Sequence, residues 1–352
     1  MPERDSVTTE GKELAVYSRS TSPNGEISFL NDLSESLVIK ERLRLIDDEI
    51  ERALGSAEGE PKILYETAAH LLRAGGKRLR SLLVILSCEA VGGNAEDAIP
   101  FAVATEFAQT ASLIHDDVID EDSLRRGVQS THEKFGQKMA ILAGDLLVAQ
   151  AIRMIGKHAT PEIIIEVANG AIRMCEGEAA DMQIQANNPE GMTKDSYLDM
   201  IEKKTVSFFR TATNMGATVG KGSPSQCKAL KEYGENLGYA FQIRDDILNV
   251  ISSKTITGKS VHSDLLSQRC SYALVHALDS CSEDERSECL RLLSQGDTAY
   301  ALELIHKTNA IPYAIELARE YVAKSKLALV GQEFLNEPLL LQIADFVLQR
   351  LH

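Results

Sequence analysis

From about Phe29 to the C-terminus, apolar positions recur at intervals of three and four. In "SLVIKERLRLIDDEIERAL" (36–54) they fall at 38, 39, 43, 45, 46 and 50, the period of one helix face. The stretch "YETAAHLLRAGGKRLRSLLVILSCEAVG" reads as two helical pieces around a Gly75-Gly76 break. The same rhythm returns in 98–121, 138–156, 161–185, 194–220 and 223–251. It lapses over a polar stretch, 252–268, and resumes through Leu351. Strand alternation is absent. Several of these helices are apolar over much of their circumference, as central helices of a large bundle are. No linker-like shift in composition divides 29–352, so the pattern predicts a single all-α domain there. Residues 1–28, rich in Ser, Thr, Glu and Gly, read as a flexible N-terminal arm.

Composition sharpens this picture. With 44% apolar residues, 5% aromatics and no Trp, small and aliphatic side chains carry the core, which favours helices. The formal charge is -15, from 37 Lys+Arg against 52 Asp+Glu. That balance argues against a nucleic-acid partner and suits a chain that gathers divalent cations. The six cysteines, at 88, 175, 227, 270, 281 and 289, include no CxxC pair. With no secretory leader, they read as reduced thiols of a cytoplasmic protein. No apolar run reaches membrane-span length, so a transmembrane protein is not expected.

The candidate chemistry begins with two acidic patches. Asp116-Asp117-Val-Ile-Asp120 and Asp245-Asp246-Ile-Leu-Asn249 both place oxygen-bearing side chains at i, i+1 and i+4, each at the end of an apolar helical run. On a helix i and i+4 share a face, with i+1 beside them. Like charges this close call for a neutralising partner. Mg²⁺ fits, because it takes oxygen ligands and bridges a few carboxylates to substrate phosphates. Facing each other across a bundle, the two patches would form one acidic mouth over an apolar interior.

Basic residues supply the missing charge. "GGKRLR" puts Lys77 and Arg80 one turn apart after two glycines. Arg125-Arg126 follows the first patch, and Lys204-Thr205 and Lys259 lie further on. Together they point to two anion sites, one reached through metal ions and one bound directly by Lys and Arg.

The ordered motifs "GGKRLR", "ASLIHDDVIDEDSLRRG", "GEAADMQ", "KKTVSFF", "GENLGYAFQIRDDILN", "GKSVHSD" and "ADFVLQR" resemble the trans-type isoprenyl (polyprenyl) diphosphate synthase family from about Ser36 onward. The likeness includes synthases of geranylgeranyl and longer polyprenyl diphosphates. The resemblance implies an isoprenoid-synthase-like helical bundle around a deep central cavity, usually a homodimer. It also implies a Mg²⁺-dependent prenyltransferase of isoprenoid biosynthesis, with three ions per active site. Such an enzyme joins isopentenyl diphosphate head-to-tail to an allylic diphosphate and releases pyrophosphate. By the same resemblance Asp116 and Asp120 are metal ligands with Asp117 supporting them, and Asp245 holds a further ion. Arg125, Lys204 and Lys259 address the allylic diphosphate. Gly76, Lys77, Arg80, Gln109 and Arg126 form the isopentenyl diphosphate site. Thr205 and Gln242 are the dipoles that face the allylic cation.

Elementary chemistry agrees. Metal ions and basic side chains assist the departure of pyrophosphate, and an apolar cavity keeps water from the cation. No Ser-His-Asp set is needed, since in this family the departing pyrophosphate is thought to take the proton. The chain departs from the family at Gln109, where His is frequent, at Ser81, where Pro is common, and at Asn249. It departs most in the 258–273 loop around His262, Gln268 and Arg269.

Counting back from Asp116 by helical turns gives Ser112, Ala111, Ala108 and Ala104, all small. Facing the cavity, they would leave a deep tunnel and a product of about C20 or longer. The competing reading is that they merely allow close helix packing. Other functions compete with this one. A catalytically weak subunit that tunes a partner synthase is motivated by the altered loop. An HD-type metal phosphohydrolase is motivated by His115-Asp116 with His70. A class I terpene cyclase lacks support, because Ser252-Ser253-Lys254 follow Asn249 and no Glu does.

Overall fold

The computed structural model describes residues 37–55, 59–187, 192–251 and 271–348. The expected arm at 1–28 and most of the 258–273 loop lie outside them. The chain starts with α1 (Leu37–Gly55), α2 (Lys62–Arg73), α3 (Leu79–Ala90) and α4 (Ala95–Ile119). A hairpin of β1 (Leu124–Arg125) and β2 (Val128–Gln129) follows. Then come α5 (Thr131–Phe135), α6 (Gln137–Ile155), α7 (Pro161–Asn187) and α8 (Lys194–Ile201). A π-helical turn, Glu202–Val206, leads into α9 (Ser207–Val219) and α10 (Pro224–Ile251). The remaining helices are α11 (Tyr272–Ser280), α12 (Glu283–Ser294), α13 (Ala299–Lys307), α14 (Ala310–Leu329) and α15 (Glu337–Leu348).

The packing follows from the apolar faces. α6 lies on α4, α4 on α3, α3 on α9, α9 on α10, and α10 on α14. The larger core gathers Ile39, Leu71, Leu83, Phe107, Leu147, Phe209, Tyr233 and Phe346. Each such apolar side chain, fully buried, contributes roughly 1.5–3 kcal/mol. A smaller core gathers Tyr197, Ile247, Leu274, Cys289, Leu304 and Ala318. α10 belongs to both, and Tyr321 of α14 packs against both, so the cores are joined. Caps close several helix ends. Thr193 with Ser196 and Ser282 with Glu285 form reciprocal capping boxes at the starts of α8 and α12, each cap being worth about 1 kcal/mol.

Two local features depart from the reading of helices alone. The hairpin is one: Leu124 pairs with Gln129 and Arg125 with Val128. Its central residues, Arg126 and Gly127, both have positive φ, 54° and 76°, the turn whose twist matches a tight hairpin. Two residues per strand are too few for alternation to register in the sequence. The other is the π turn inside the span 194–219, where one continuous helix was expected. Such turns recur at functional sites.

Candidate active site

The first acidic patch sits at the C-terminal end of α4. Phe101–Phe107 are buried throughout, but beyond them a stripe stays partly open: Ala108, Gln109, Ser112, Leu113 and Asp116. Asp120 caps the helix, its N–H donating to the Asp116 carbonyl at 2.8 Å. Asp117 is buried and serves differently, receiving Arg125 Nε at 2.7 Å, while Arg125 Nη2 also reaches Asp122 at 3.0 Å. Burial pushes the Asp116 carboxyl up to about 7, with Glu178 and Asp120 adding to the rise and Lys204 and Arg125 opposing it.

The hairpin sends Arg126 elsewhere. Its Nη1 donates to the Leu71 carbonyl at 2.7 Å, and its guanidinium lies over Gly76, where a Cβ would stand 3.0 Å from Cζ. Nearby, Lys77 and Arg80 lie over the ring of Phe241, at 5.6 and 5.5 Å from its centroid. Arg80 also meets Phe209 at 4.5 Å. Burial pushes its guanidinium down to about 10, although Glu106 and Asp245 raise it. Arg80 Nε and Gln109 Oε1 are buried and lack hydrogen-bond partners among the described residues, as expected of groups that await a polar ligand. Between Lys77 and Arg80, Arg78 turns inward to Glu106 (2.9 Å), Asp47 (3.0 Å) and the Leu72 carbonyl (2.9 Å). Ser81 donates to the Ala102 carbonyl at 2.7 Å, and its hydroxyl also reaches Glu106 at 2.9 Å. Glu106 thus fixes this loop to α4. Its place one and a half α4 turns from Phe101 gave no sign of that in the sequence.

The π turn supplies the third group. Lys204 Nζ lies 2.7 Å from both Glu178 and Asp181 of α7. Burial lowers its pKa, but Asp181, Glu178 and Asp116 outweigh that and raise it. Gly177 permits the approach, since a Cβ there would collide with the Lys204 backbone nitrogen. Glu178 and Asp181 stand in the quoted "GEAADMQ" motif, yet only the fold brings them to Lys204. Thr205 donates to Gln242 Oε1 at 2.7 Å, and Gln242 Nε2 donates to Asp246 at 2.8 Å. Asp245 receives Arg244 Nε at 3.1 Å. Burial would raise its carboxyl, but Arg244, Lys77 and Arg80 hold it below the usual carboxylate range. Hydrogen bonds therefore join Thr205, Gln242 and Asp246, while the charge of Lys204 acts on Asp116 and those of Lys77 and Arg80 act on Asp245. Lys259 lies outside the described residues.

The remaining candidates divide. His70 donates to the Gln129 carbonyl at 2.8 Å and anchors the hairpin, while His115 donates to the Ile141 carbonyl at 3.2 Å and rests on Gly144 of α6. They share no partner, which removes the basis of a histidine-aspartate hydrolase. Ala111 is 1% exposed and packed in the larger core, whereas Ser112 and Ala108 are on the open stripe with Asp116. A separate recess of 510 Å³ between Lys194, His276, Glu285, Lys307 and Tyr313 shares none of these residues.

The donor set suits Mg²⁺. Among the described residues no three acidic, His or Cys side chains converge to hold a metal by themselves. Mg²⁺ needs no such cage, being held by one or two carboxylates, water and substrate phosphates. Asp116 and Asp120 offer two oxygen-bearing groups one turn apart, and burial with the charges of Glu178 and Asp120 raises the Asp116 carboxyl to about 7.

The sequence profile of Polyprenyl synthetase matches residues 61–306. The chain belongs to this family. It is 37% identical over 324 residues to the short chain isoprenyl diphosphate synthase of Methanothermobacter thermautotrophicus, covering 90% of this chain and 98% of that one. It is 36% identical to the geranylgeranyl pyrophosphate synthase of Geoglobus acetivorans, covering 90% and 99%. The crystal structure of geranylgeranyl pyrophosphate synthetase from Pyrococcus horikoshii superposes with a TM-score of 0.80 at 33% identity, over 89% of this chain and 97% of that one. The polyprenyl synthetase is thus an all-α prenyltransferase, and its fold is that of the helical polyprenyl synthases.

Proposed function

We propose that this polyprenyl synthetase condenses isopentenyl diphosphate with an allylic diphosphate to give a trans-polyprenyl diphosphate of about C20 or longer and pyrophosphate. The electrostatic coupling of Lys204 to Asp116 and of Lys77 and Arg80 to Asp245, together with the Thr205–Gln242 hydrogen bond, carries this reading. Asp116, Asp120 and Asp245 would hold Mg²⁺ ions, three in number, and Asp117 positions Arg125. Bound Mg²⁺ supplies neutralisation of the leaving diphosphate. Arg125 and Lys204, with Lys259, then contact the allylic diphosphate, leaving their internal carboxylate partners to do so. Gly76, Lys77, Arg80, Gln109 and Arg126 receive isopentenyl diphosphate, and the orphaned donor Arg80 Nε supports that assignment. Thr205 and Gln242 present oxygens to the developing cation.

The product would run along the open stripe of α4, from Asp116 past Ser112 to Ala108, and its length is supported by the geranylgeranyl synthases among the relatives. We read residues 29–352 as one domain; the arm expected at 1–28 lies outside the described residues. Among the described residues no helix is long and apolar enough to cross a membrane, and we read the enzyme as cytoplasmic. Ile141, Leu142, Val148 and Ile152 of α6 and Ile164, Ile165 and Ile172 of α7 are all exposed. Apolar exposure on this scale marks an interaction surface, which supports a homodimer joined through α6 and α7.

The test is direct. Purified protein with Mg²⁺, isopentenyl diphosphate and an allylic diphosphate is expected to release pyrophosphate and yield prenyl chains of C20 or more by chromatography. No release from the lone protein would replace this reading with that of a subunit tuning a partner synthase.

A further inference from the structure

Asp246 stands beside the proposed metal ligand Asp245 yet faces a different set of groups. It is 5% exposed. Its Oδ1 accepts from Gln242 Nε2 at 2.8 Å, and its Oδ2 accepts from the Tyr197 hydroxyl at 2.6 Å and the Tyr272 N–H at 3.4 Å. Tyr197 is itself fully buried, its ring 5.7 Å from that of Tyr272. The Tyr197 hydroxyl of α8 and the Tyr272 backbone of α11 therefore fix where this carboxylate stands.

The consequence falls on Gln242. An amide has a donor end and an acceptor end of nearly equal shape, and the carboxylate distinguishes them. Only the NH₂ end can meet Asp246, so Oε1 turns to Thr205, whose hydroxyl donates to it at 2.7 Å. Having committed its proton, Thr205 Oγ1 has only lone pairs left to show. Both side chains then present oxygen, the negative end of their dipoles. An amide turned over would bring NH₂ to Thr205, release the hydroxyl proton and set a positive end toward the site. Chains of hydrogen bonds transmit polarity in this way.

We infer that Asp246, held by Tyr197, is a positioning residue that orients Gln242 and through it Thr205, so that both present oxygen to the developing allylic cation, and that it is not a metal ligand. This rests on the prenyl-transfer reading above. The residue acts through its neighbours and touches no reacting atom.

The test compares Asp246→Asn, Tyr197→Phe, Gln242→Ala and the Gln242→Ala/Asp246→Asn double variant in steady-state kinetics with both diphosphates. Asp246→Asn is expected to lower kcat by about 10–100-fold, the order of a lost electrostatic contact in the transition state. KM for both substrates should hold within about threefold, since ground-state binding is untouched. Tyr197→Phe should lower kcat in the same direction by roughly 3–10-fold. In the Gln242→Ala background Asp246→Asn should lose less than about twofold more, because groups acting as a unit are not additive. The rise in melting temperature produced by Mg²⁺ with inorganic pyrophosphate should survive in full in Asp246→Asn and shrink in Asp245→Asn. Full additivity in the double variant, or loss of that Mg²⁺-dependent rise in Asp246→Asn, overturns the inference. Should Asp246→Asn not fold, an unchanged kcat in Tyr197→Phe overturns it equally. A wild-type protein that releases no pyrophosphate overturns the prenyl-transfer reading itself, which is seen before any variant is compared.

Discussion

Asp116 ends the open stripe of α4 among Glu178, Asp120, Lys204 and Arg125, with burial and Glu178 raising its carboxyl to about 7. An unfolded Asp titrates near 3.9. Between roughly pH 4 and pH 7 the folded protein thus holds more protons than the unfolded one. The stability tied to this group is complete below about pH 4 and declines as pH rises through about 7. Asp116→Asn cannot ionise and escapes the decline. Without metal, the melting temperature of Asp116→Asn relative to wild type is expected to climb from pH 4 to pH 7 and level off above. Mg²⁺ with pyrophosphate at pH 8 should narrow the gap by stabilising wild type more than Asp116→Asn. A pH-independent difference in calorimetry would remove Asp116 as the strained carboxylate. The same scale explains Arg125 and Arg126. Adjacent in sequence, they diverge because the turn reverses the chain between them, sending one to Asp117 and the other over Gly76.

Individual residues reach their places through a few elements. The π turn lifts Lys204 and Thr205 out of regular helix toward α7 and α10, and Gly177 lets α7 come close enough to meet it. Helix α4 sorts its own residues by face. Ala104, Ala108, Ala111 and His115 follow a 4-3-4 spacing, and His115 at its end rests against α6, so close packing accounts for part of the run of small residues. Ala108 and Ser112 remain partly open, and Ser112 shares the Asp116 face. Ser112→Phe should therefore place a ring across the stripe and shift the product from C20 or longer toward C15, read by chromatography of the dephosphorylated chains. Ala111→Phe should also shorten the product but lower stability by about 1–3 kcal/mol, the usual consequence of overpacking a filled site. Unchanged chain lengths in both variants would move the product path off α4.

At the scale of the molecule, the row α6–α4–α3–α9–α10–α14 places the two acidic helices on either side of α3 and α9, and α15 is pinned by Tyr233 to the Leu340 carbonyl (2.8 Å) and by fully buried Arg244 to the Val347 carbonyl. Among the described residues, the outward faces of α6 and α7 carry seven exposed Ile, Leu and Val side chains. Ile152→Glu with Ile165→Glu, at 64% and 60% exposure, should convert a dimer to a monomer in sedimentation analysis with helicity intact. A wild type that sediments as a monomer at micromolar concentration would reject the homodimer. The helical period, the two acidic patches and the basic clusters were all legible in the chain, because each is a short-range pattern: a face repeats every three to four residues, and like charges at i and i+4 need a counter-ion wherever the helix sits. By itself the sequence determined the helices, the family and the chemistry of diphosphates. Only the tertiary structure decided that Asp117 holds Arg125, that Glu106 braces the Arg78 loop, that Glu178 and Asp181 meet Lys204, and that Asp246 faces Gln242. Those partners lie 8 to 28 residues apart or sit on a four-residue turn of one helix with choices on every side. The directions of buried side chains are set by what packs around them, which no local period encodes.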